Sequence, residues 1–276
     1  MTDQPVQSID VIDTFEKLRA ELLQILSQLR HLQWQQPTAC EGWSVHDVAV
    51  HLLGDDIGLL SSRRDGHHEP ARFNNYAELI AWINYRNDVW VRAARRISPK
   101  VLIHLLRDSG EQEMAFWRSL DPMADGGPVS WAGMEPAPVW MEIAREYTEF
   151  WMHTQHICEG AGVVALKTPE YMHPLLDIFA RAMPYTYRYT IAPEGAIVTL
   201  TVPEVDDSWH IRREGDKWRQ YAHLDAASTT TVVLPADVAW RLFTKGLSSE
   251  KAEAKATVTG DEALAEPLFK MVSIMA

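Results

Sequence analysis

Apolar residues recur every three to four positions along the N-terminal half of the chain, which is the spacing of helices that bury one face. This pattern predicts helices at about residues 8–29, 44–64, 75–97, 99–120 and 138–159. Ser44 followed by Asp47 is typical of a helix start. Gly160 and Gly162 would end the last of these helices. The segment 121–138 is rich in proline and glycine and is predicted to be a loop.

After residue 165 the pattern changes to a mixture of helix and strand. A helix is predicted at residues 169–182, and another after Pro235, ending at Gly246. The β-branched segments GAIVTLTV, SWHIRR, KWRQYA and STTTVVL are predicted strands, and a turn at Gly215 would join two of them into a hairpin. A further strand is predicted in KAEAKATVTG, and a last helix, kinked by Pro267, in DEALAEPLFKMVSIM.

These elements predict an α+β protein with two domains. Residues 1–162 would form a helical bundle, and residues 163–276 a mixed α+β domain. A chain of 276 residues is long enough for two such domains.

Composition narrows the possible partners and the compartment. The net charge of −12 disfavours binding to nucleic acid, because an acidic protein repels phosphate backbones. The sequence contains neither a secretory signal nor an apolar run of about 18 residues, so we expect no membrane partner. Cys40 and Cys158 do not indicate a disulfide framework, and we expect a reducing, cytoplasmic location.

Three residues carry the predicted chemistry. Glu149 and His153 are four positions apart on one predicted helix and can converge on one point. His51, from a facing helix, could complete the site. Two imidazoles and a carboxylate are good zinc ligands, and three protein ligands leave a position open for water or substrate.

Other interpretations of the same residues stay open at this point. A Glu/His pair four apart also occurs on solvated helix faces. His156 shares the face of His153 and could replace another ligand. Cys40 could be a small buried residue or a thiol close to the metal. Asp47 and Asp55 lie one turn on either side of His51 and could support it, although Asp47 could simply cap its helix.

Two segments resemble a known family. WQQPTACEGWSVHDVAVHLL is similar to the first metal motif of mycothiol-dependent maleylpyruvate isomerase-like proteins, which belong to the DinB/YfiT-like superfamily of helical bundles. EFWMHTQHI is similar to the second motif, except that His156 stands where relatives usually have Asp. The later segment from LPADVAWRLF onwards resembles a sterol-carrier-like C-terminal domain.

The resemblance implies a DinB-like four-helix bundle with an extra helix, and zinc or another divalent metal on His51, Glu149 and His153. It also implies mycothiol as cosubstrate, for isomerisation of, or sulfur transfer to, a small electrophile. Arg241 and Lys245 are candidates to hold a substrate carboxylate. The alternatives are a non-enzymatic metal or ligand binder and a metal-dependent hydrolase. We expect a monomer or a homodimer.

Overall fold

The computed structural model describes residues 3–274, and within that range the chain packs as two compact units. Residues 11–121 and 146–167 form one of them, called here the helical unit. The other, called the mixed unit, contains residues 3–10, 122–145 and 168–274. The domain division at residue 162 stays a prediction; in the structure, the segment 122–145 packs with the C-terminal part of the chain.

The helical unit contains the five helices predicted from periodicity, each with slightly different ends. They are α1 (Ile12–Gln28), α3 (Val45–Leu59), α4 (Tyr76–Ala94), α5 (Pro99–Arg118) and the C-terminal part of α6 (Val139–Ala161), and a short α2 (His31–Trp34) lies between the first two. A π-helical turn, Leu60–Arg64, continues α3. Helix α3 packs against both α4 and α5, so it is buried on most of its surface.

The start of α3 follows the predicted capping pattern. The Ser44 hydroxyl accepts a hydrogen bond from the backbone N–H of Asp47, and the Asp47 carboxylate accepts one from the backbone N–H of Ser44. This reciprocal arrangement satisfies two backbone donors at the helix end. Asp47 also accepts hydrogen bonds from Arg95, at 2.9 Å from its Nε. The capping interpretation of Asp47 is therefore confirmed.

The mixed unit is built on a six-stranded sheet within residues 3–274, with strand order β1-β4-β3-β2-β5-β6. The strands are β1 (Gln4–Pro5), β2 (Ile197–Val202), β3 (Asp207–Glu214), β4 (Lys217–His223), β5 (Thr230–Val233) and β6 (Thr257–Gly260). Strands β2 and β5 are parallel, and the other pairs are antiparallel. The helices are α7 (Pro169–Ala180), α8 (Met183–Thr186), α9 (Ala236–Phe243), α10 (Ser249–Glu253) and α11 (Glu262–Phe269).

Two sequence predictions in this unit differ from the structure. The segment KAEAKATVTG is not one strand, because its first residues belong to α10 and only Thr257–Gly260 is extended. Lys, Ala and Glu favour helix, whereas the β-branched residues come later. The last helix ends at Phe269, two residues after Pro267, rather than continuing through Ile274. Its final predicted position, 275, lies outside the described residues.

The architecture is thus α+β, as predicted. Among the described residues, no helix combines the length and apolar character needed to cross a bilayer.

Candidate metal centre

His51 lies near the middle of α3 and is 4% exposed. The Trp43 ring, just before the start of α3, lies 5.0 Å from the His51 ring, centroid to centroid. One turn further along α3, Asp55 Oδ2 lies 3.2 Å from His51 Nε2. The sequence left the role of Asp55 open; the structure places its carboxylate directly beside the imidazole.

Helix α6 brings Glu149 and His153 to the same point. His153 Nε2 lies 3.0 Å from Glu149 Oε1, and His51 Nε2 lies 3.7 Å from the same oxygen. The rings of His51 and His153 are 4.6 Å apart and nearly perpendicular. One donor atom from each residue lies within 4.8 Å of the other two. The structure therefore brings together all three residues predicted from sequence, called here the metal set.

The charges of the metal set depend on one another. Burial lowers the pKa of His153, and attraction by Glu149 only partly offsets this effect. Burial also opposes protonation of His51, but the nearby Asp55 and Glu149 outweigh it and raise the pKa of His51. Burial would raise the pKa of Glu149, yet the two imidazoles hold it well below its ordinary value. Glu149 is thus a carboxylate at neutral pH.

The pKa of Asp55 shifts in the opposite direction to that of Glu149. Burial raises the pKa of Asp55 to about 7, against the attraction of His51 and with the added repulsion of neighbouring carboxylates such as Glu149 and Glu146. Asp55, Glu146 and Glu149 line the same cleft, together with Phe15 and Phe150. Asp55 and Glu146 therefore add two further carboxyl groups beside the metal set.

A second set of donors meets the other side of the His153 ring. Cys40 Sγ lies 3.7 Å from His153 Nδ1 and 3.3 Å from His156 Nδ1. The two Nδ1 atoms of His153 and His156 are 3.4 Å apart. His156 therefore does not replace a member of the metal set, because it faces Nδ1 of His153 whereas Glu149 faces Nε2. Burial raises the pKa of the Cys40 thiol to about 11.

A buried ionic cluster on the same unit was not predicted from sequence. The Arg19 guanidinium pairs with Asp56, and also with Glu113 at 3.0 Å, and all three side chains are buried. These residues lie on three different helices, so no local spacing in the sequence could have indicated their contact. The only signal in the sequence was that Asp56 continues the helical spacing of the apolar residues Val48 and Leu52.

Several other titratable residues do not belong to either donor set. His46 Nε2 is 2.8 Å from the backbone oxygen of Ile97, which agrees with a structural role, and Cys158 is fully buried. His67, His68 and His104 are exposed. In the mixed unit, Arg241 pairs with Asp237 at 3.1 Å, and Lys245 follows the end of α9. A substrate role for Arg241 and Lys245 stays a prediction.

Residues 15–158, which include both donor sets, match the family model described as the mycothiol maleylpyruvate isomerase N-terminal domain. The chain belongs to this family. Two solved structures are similar to the whole chain: the mycothiol-dependent maleylpyruvate isomerase, at 14% identity, and a histidine-to-alanine mutant of it, at 13%. Each match has a TM-score of 0.51 and covers 90% of this chain and 92% of the other. At this identity, the likeness shows the fold shared with that enzyme. No curated protein sequence matches the chain.

Proposed function

We propose that this protein is a metal- and thiol-dependent enzyme that isomerises a small electrophile or transfers sulfur to it. The metal would be zinc, or another divalent ion, held by His51, Glu149 and His153, and the thiol would be of the mycothiol type. The observation that carries this proposal is the convergence of three donor atoms from α3 and α6 within 4.8 Å. Membership of the isomerase family supports the choice of thiol and reaction.

The residues fit a divalent cation by their chemistry. A histidine ligand must be neutral, and burial favours the neutral form of His153. Glu149 supplies a full negative charge. The buried Asp55 Oδ2 accepts no hydrogen bond from any described residue, although it lies 3.2 Å from His51 Nε2. Two carboxylates beside two imidazoles form a site whose charge a divalent cation would balance.

A divalent ion bound there would deprotonate a thiol outright, and the thiolate is the form that attacks electrophiles. Glu149 would reduce the net charge of the centre. His51 and His153 are 4% and 7% exposed, so they shield one side of it from water. The Glu149 side chain is 36% exposed, which places the accessible side of the metal set at this residue. A small thiol and its substrate would approach from there.

The test combines metal analysis with a thiol assay on purified protein. We expect one divalent ion per chain, and consumption of mycothiol in the presence of electrophiles that contain an activated cis double bond. His51→Ala removes a ligand of the metal set and should lose the thiol consumption. His104→Ala, which alters an exposed histidine, should keep both properties. Metal-loaded protein that consumes no thiol across a panel of such electrophiles would contradict the proposed reaction, and protein that binds no metal would contradict the proposed centre.

The finer fold assignment belongs to the same proposal. We assign the helical unit to the DinB-like bundles and the mixed unit to the sterol-carrier-like domains, on the strength of the sequence motifs. A cytoplasmic location is supported by the two free cysteines, Cys40 and Cys158, since thiols persist in reducing compartments. The oligomeric state, monomer or homodimer, stays a prediction.

A further inference from the structure

The contacts of Cys40, His153 and His156, called here the thiol set, have the dimensions of a metal site. Zinc binds imidazole nitrogen at about 2.0–2.1 Å and thiolate sulfur at about 2.3 Å in tetrahedral geometry. Two nitrogens on such an ion would be about 3.4 Å apart, and a nitrogen and a sulfur about 3.6 Å apart. The corresponding distances in the thiol set are 3.4 Å, 3.3 Å and 3.7 Å.

The backbone holds Cys40 at this place. The Cys40 carbonyl accepts a hydrogen bond from the Trp43 N–H at 3.0 Å, which closes a four-residue turn. Gly42, the third residue of the turn, has φ +76°, a value that glycine adopts without strain. The Thr38 hydroxyl accepts a hydrogen bond from the Cys40 N–H at 3.2 Å. The thiol is thus presented by a hydrogen-bonded loop.

Helix α6 lies in close contact with the loop that carries Cys40, at a glycine. Gly160 lies one turn after His156, on the same face of the helix. A Cβ atom at position 160 would lie 2.9 Å from the Pro37 carbonyl oxygen and 3.0 Å from a Thr38 methyl group. Only glycine at this position therefore allows the loop that contains Cys40 to approach α6 so closely.

We propose that Cys40 Sγ, His153 Nδ1 and His156 Nδ1 form a second binding position for a thiophilic divalent metal. Binding forms a metal–sulfur bond and releases the thiol proton to solvent. The soft sulfur ligand favours ions such as zinc and cobalt over magnesium or manganese. This position goes beyond the proposed function, because it does not require the metal set to be filled.

The two positions exclude each other because they share one imidazole. A neutral imidazole has one nitrogen with a free lone pair and one that carries a proton. His153 turns Nε2 to Glu149 and Nδ1 to Cys40, so neutral His153 can bind an ion at one position at a time. We therefore expect the wild-type protein to bind one ion in total.

Cobalt(II) titration of the tag-free, full-length protein tests this proposal. Cobalt bound to thiolate gives a charge-transfer absorption in the near-ultraviolet, whereas cobalt bound to imidazole and carboxylate does not. Glu149→Gln, which weakens only the metal set, should bind one cobalt per chain with this absorption. Cys40→Ala should also bind one cobalt per chain, through the metal set, but without the absorption. The combined variant should bind none.

Controls separate this proposal from the proposed function. Cys158→Ala removes the other free cysteine and should leave the absorption unchanged. His156→Asn should lose it as Cys40→Ala does. No thiolate absorption in Glu149→Gln, or two cobalt ions in the wild-type protein, would overturn the proposal. Absence of cobalt from Cys40→Ala, with the absorption intact in Glu149→Gln, would instead contradict the metal set and leave the thiol set standing.

Discussion

The ionic cluster and the metal set are two buried polar groups in the helical unit, and they differ in how their charges are balanced. In the ionic cluster, the permanent cation Arg19 lies between Asp56 and Glu113. Ser109 donates a hydrogen bond to Asp56 at 2.5 Å, and the Trp117 ring donates one to Glu113 at 3.0 Å. Burial raises the pKa of Glu113, and the attraction of Arg19 opposes this shift. This cluster is balanced by its own side chains.

The metal set contains no permanently charged cation. Its two imidazoles are partners of Glu149 and of the neighbouring Asp55, and their charge depends on pH, with burial favouring the neutral form of His153. The difference teaches that burial of charge alone does not mark a functional site. A buried cluster that supplies its own cation stabilises the fold, whereas a cluster of carboxylates and imidazoles is suited to bind one.

The largest expected effect belongs to the ionic cluster. Arg19→Ala leaves Asp56 and Glu113 buried without their cation, and we expect the free energy of unfolding to fall by about 3–5 kcal/mol. Chemical denaturation measures this change. Arg118→Ala removes an exposed arginine that pairs with Asp13 and Glu16, and should cost less than about 1 kcal/mol. Equal losses in the two variants would remove the distinction between a buried and an exposed ion pair here.

The next largest effect belongs to His153, which is a member of both the metal set and the thiol set. We expect His153→Ala to weaken zinc binding by more than about 100-fold, since loss of a ligand costs at least as much as loss of a supporting residue. Isothermal titration with zinc measures the change. Unfolding of the metal-free variant should differ little from that of the metal-free wild type. Unchanged zinc affinity in His153→Ala would show that the His153 imidazole, which the two sets share, binds no metal.

A smaller effect is expected at the start of α3. Ser44→Ala removes the hydroxyl that caps the helix carrying His51, and should cost about 1 kcal/mol of stability. It should also weaken zinc binding, because fraying of α3 displaces the Trp43 ring that packs on His51. Ser98→Ala removes the corresponding cap of α5 and should lower stability alone. Loss of zinc affinity in both variants would mean that the effect is not local to His51.

The last prediction concerns the dependence of stability on pH. The pKa of Asp55 is raised to about 7, so folding favours its protonated form, and its contribution to stability is lost as pH rises from about 4 to about 7. In chelator-treated protein, Asp55→Asn should therefore have a higher Tm than the wild type at pH 8, with the difference disappearing near pH 4. Asp108→Asn, on the exposed face of α5, should show no such trend. A difference that is constant with pH would contradict the assignment.

Local spacing explains what could be predicted. Glu149 and His153 converge because residues four apart share a helix face, and Ser44 with Asp47 caps α3 because these side chains satisfy backbone donors wherever a helix begins. Strand alternation likewise predicted β2 to β5. The strand predicted in KAEAKATVTG begins too early, because the prediction extends the β-branched pattern over Lys251, Ala252 and Glu253, which follow their preference for helix and join α10.

By itself, the sequence determined the long helices, the cap of α3 and two of the three residues of the metal set as a pair, because these depend on contacts within one element. Only the tertiary structure decided which nitrogen of His153 faces Glu149 and which faces Cys40, and that Arg19 meets Asp56 and Glu113. These contacts join residues from separate elements, and their geometry depends on how helices pack. The pattern along a single helix carries no information about that packing.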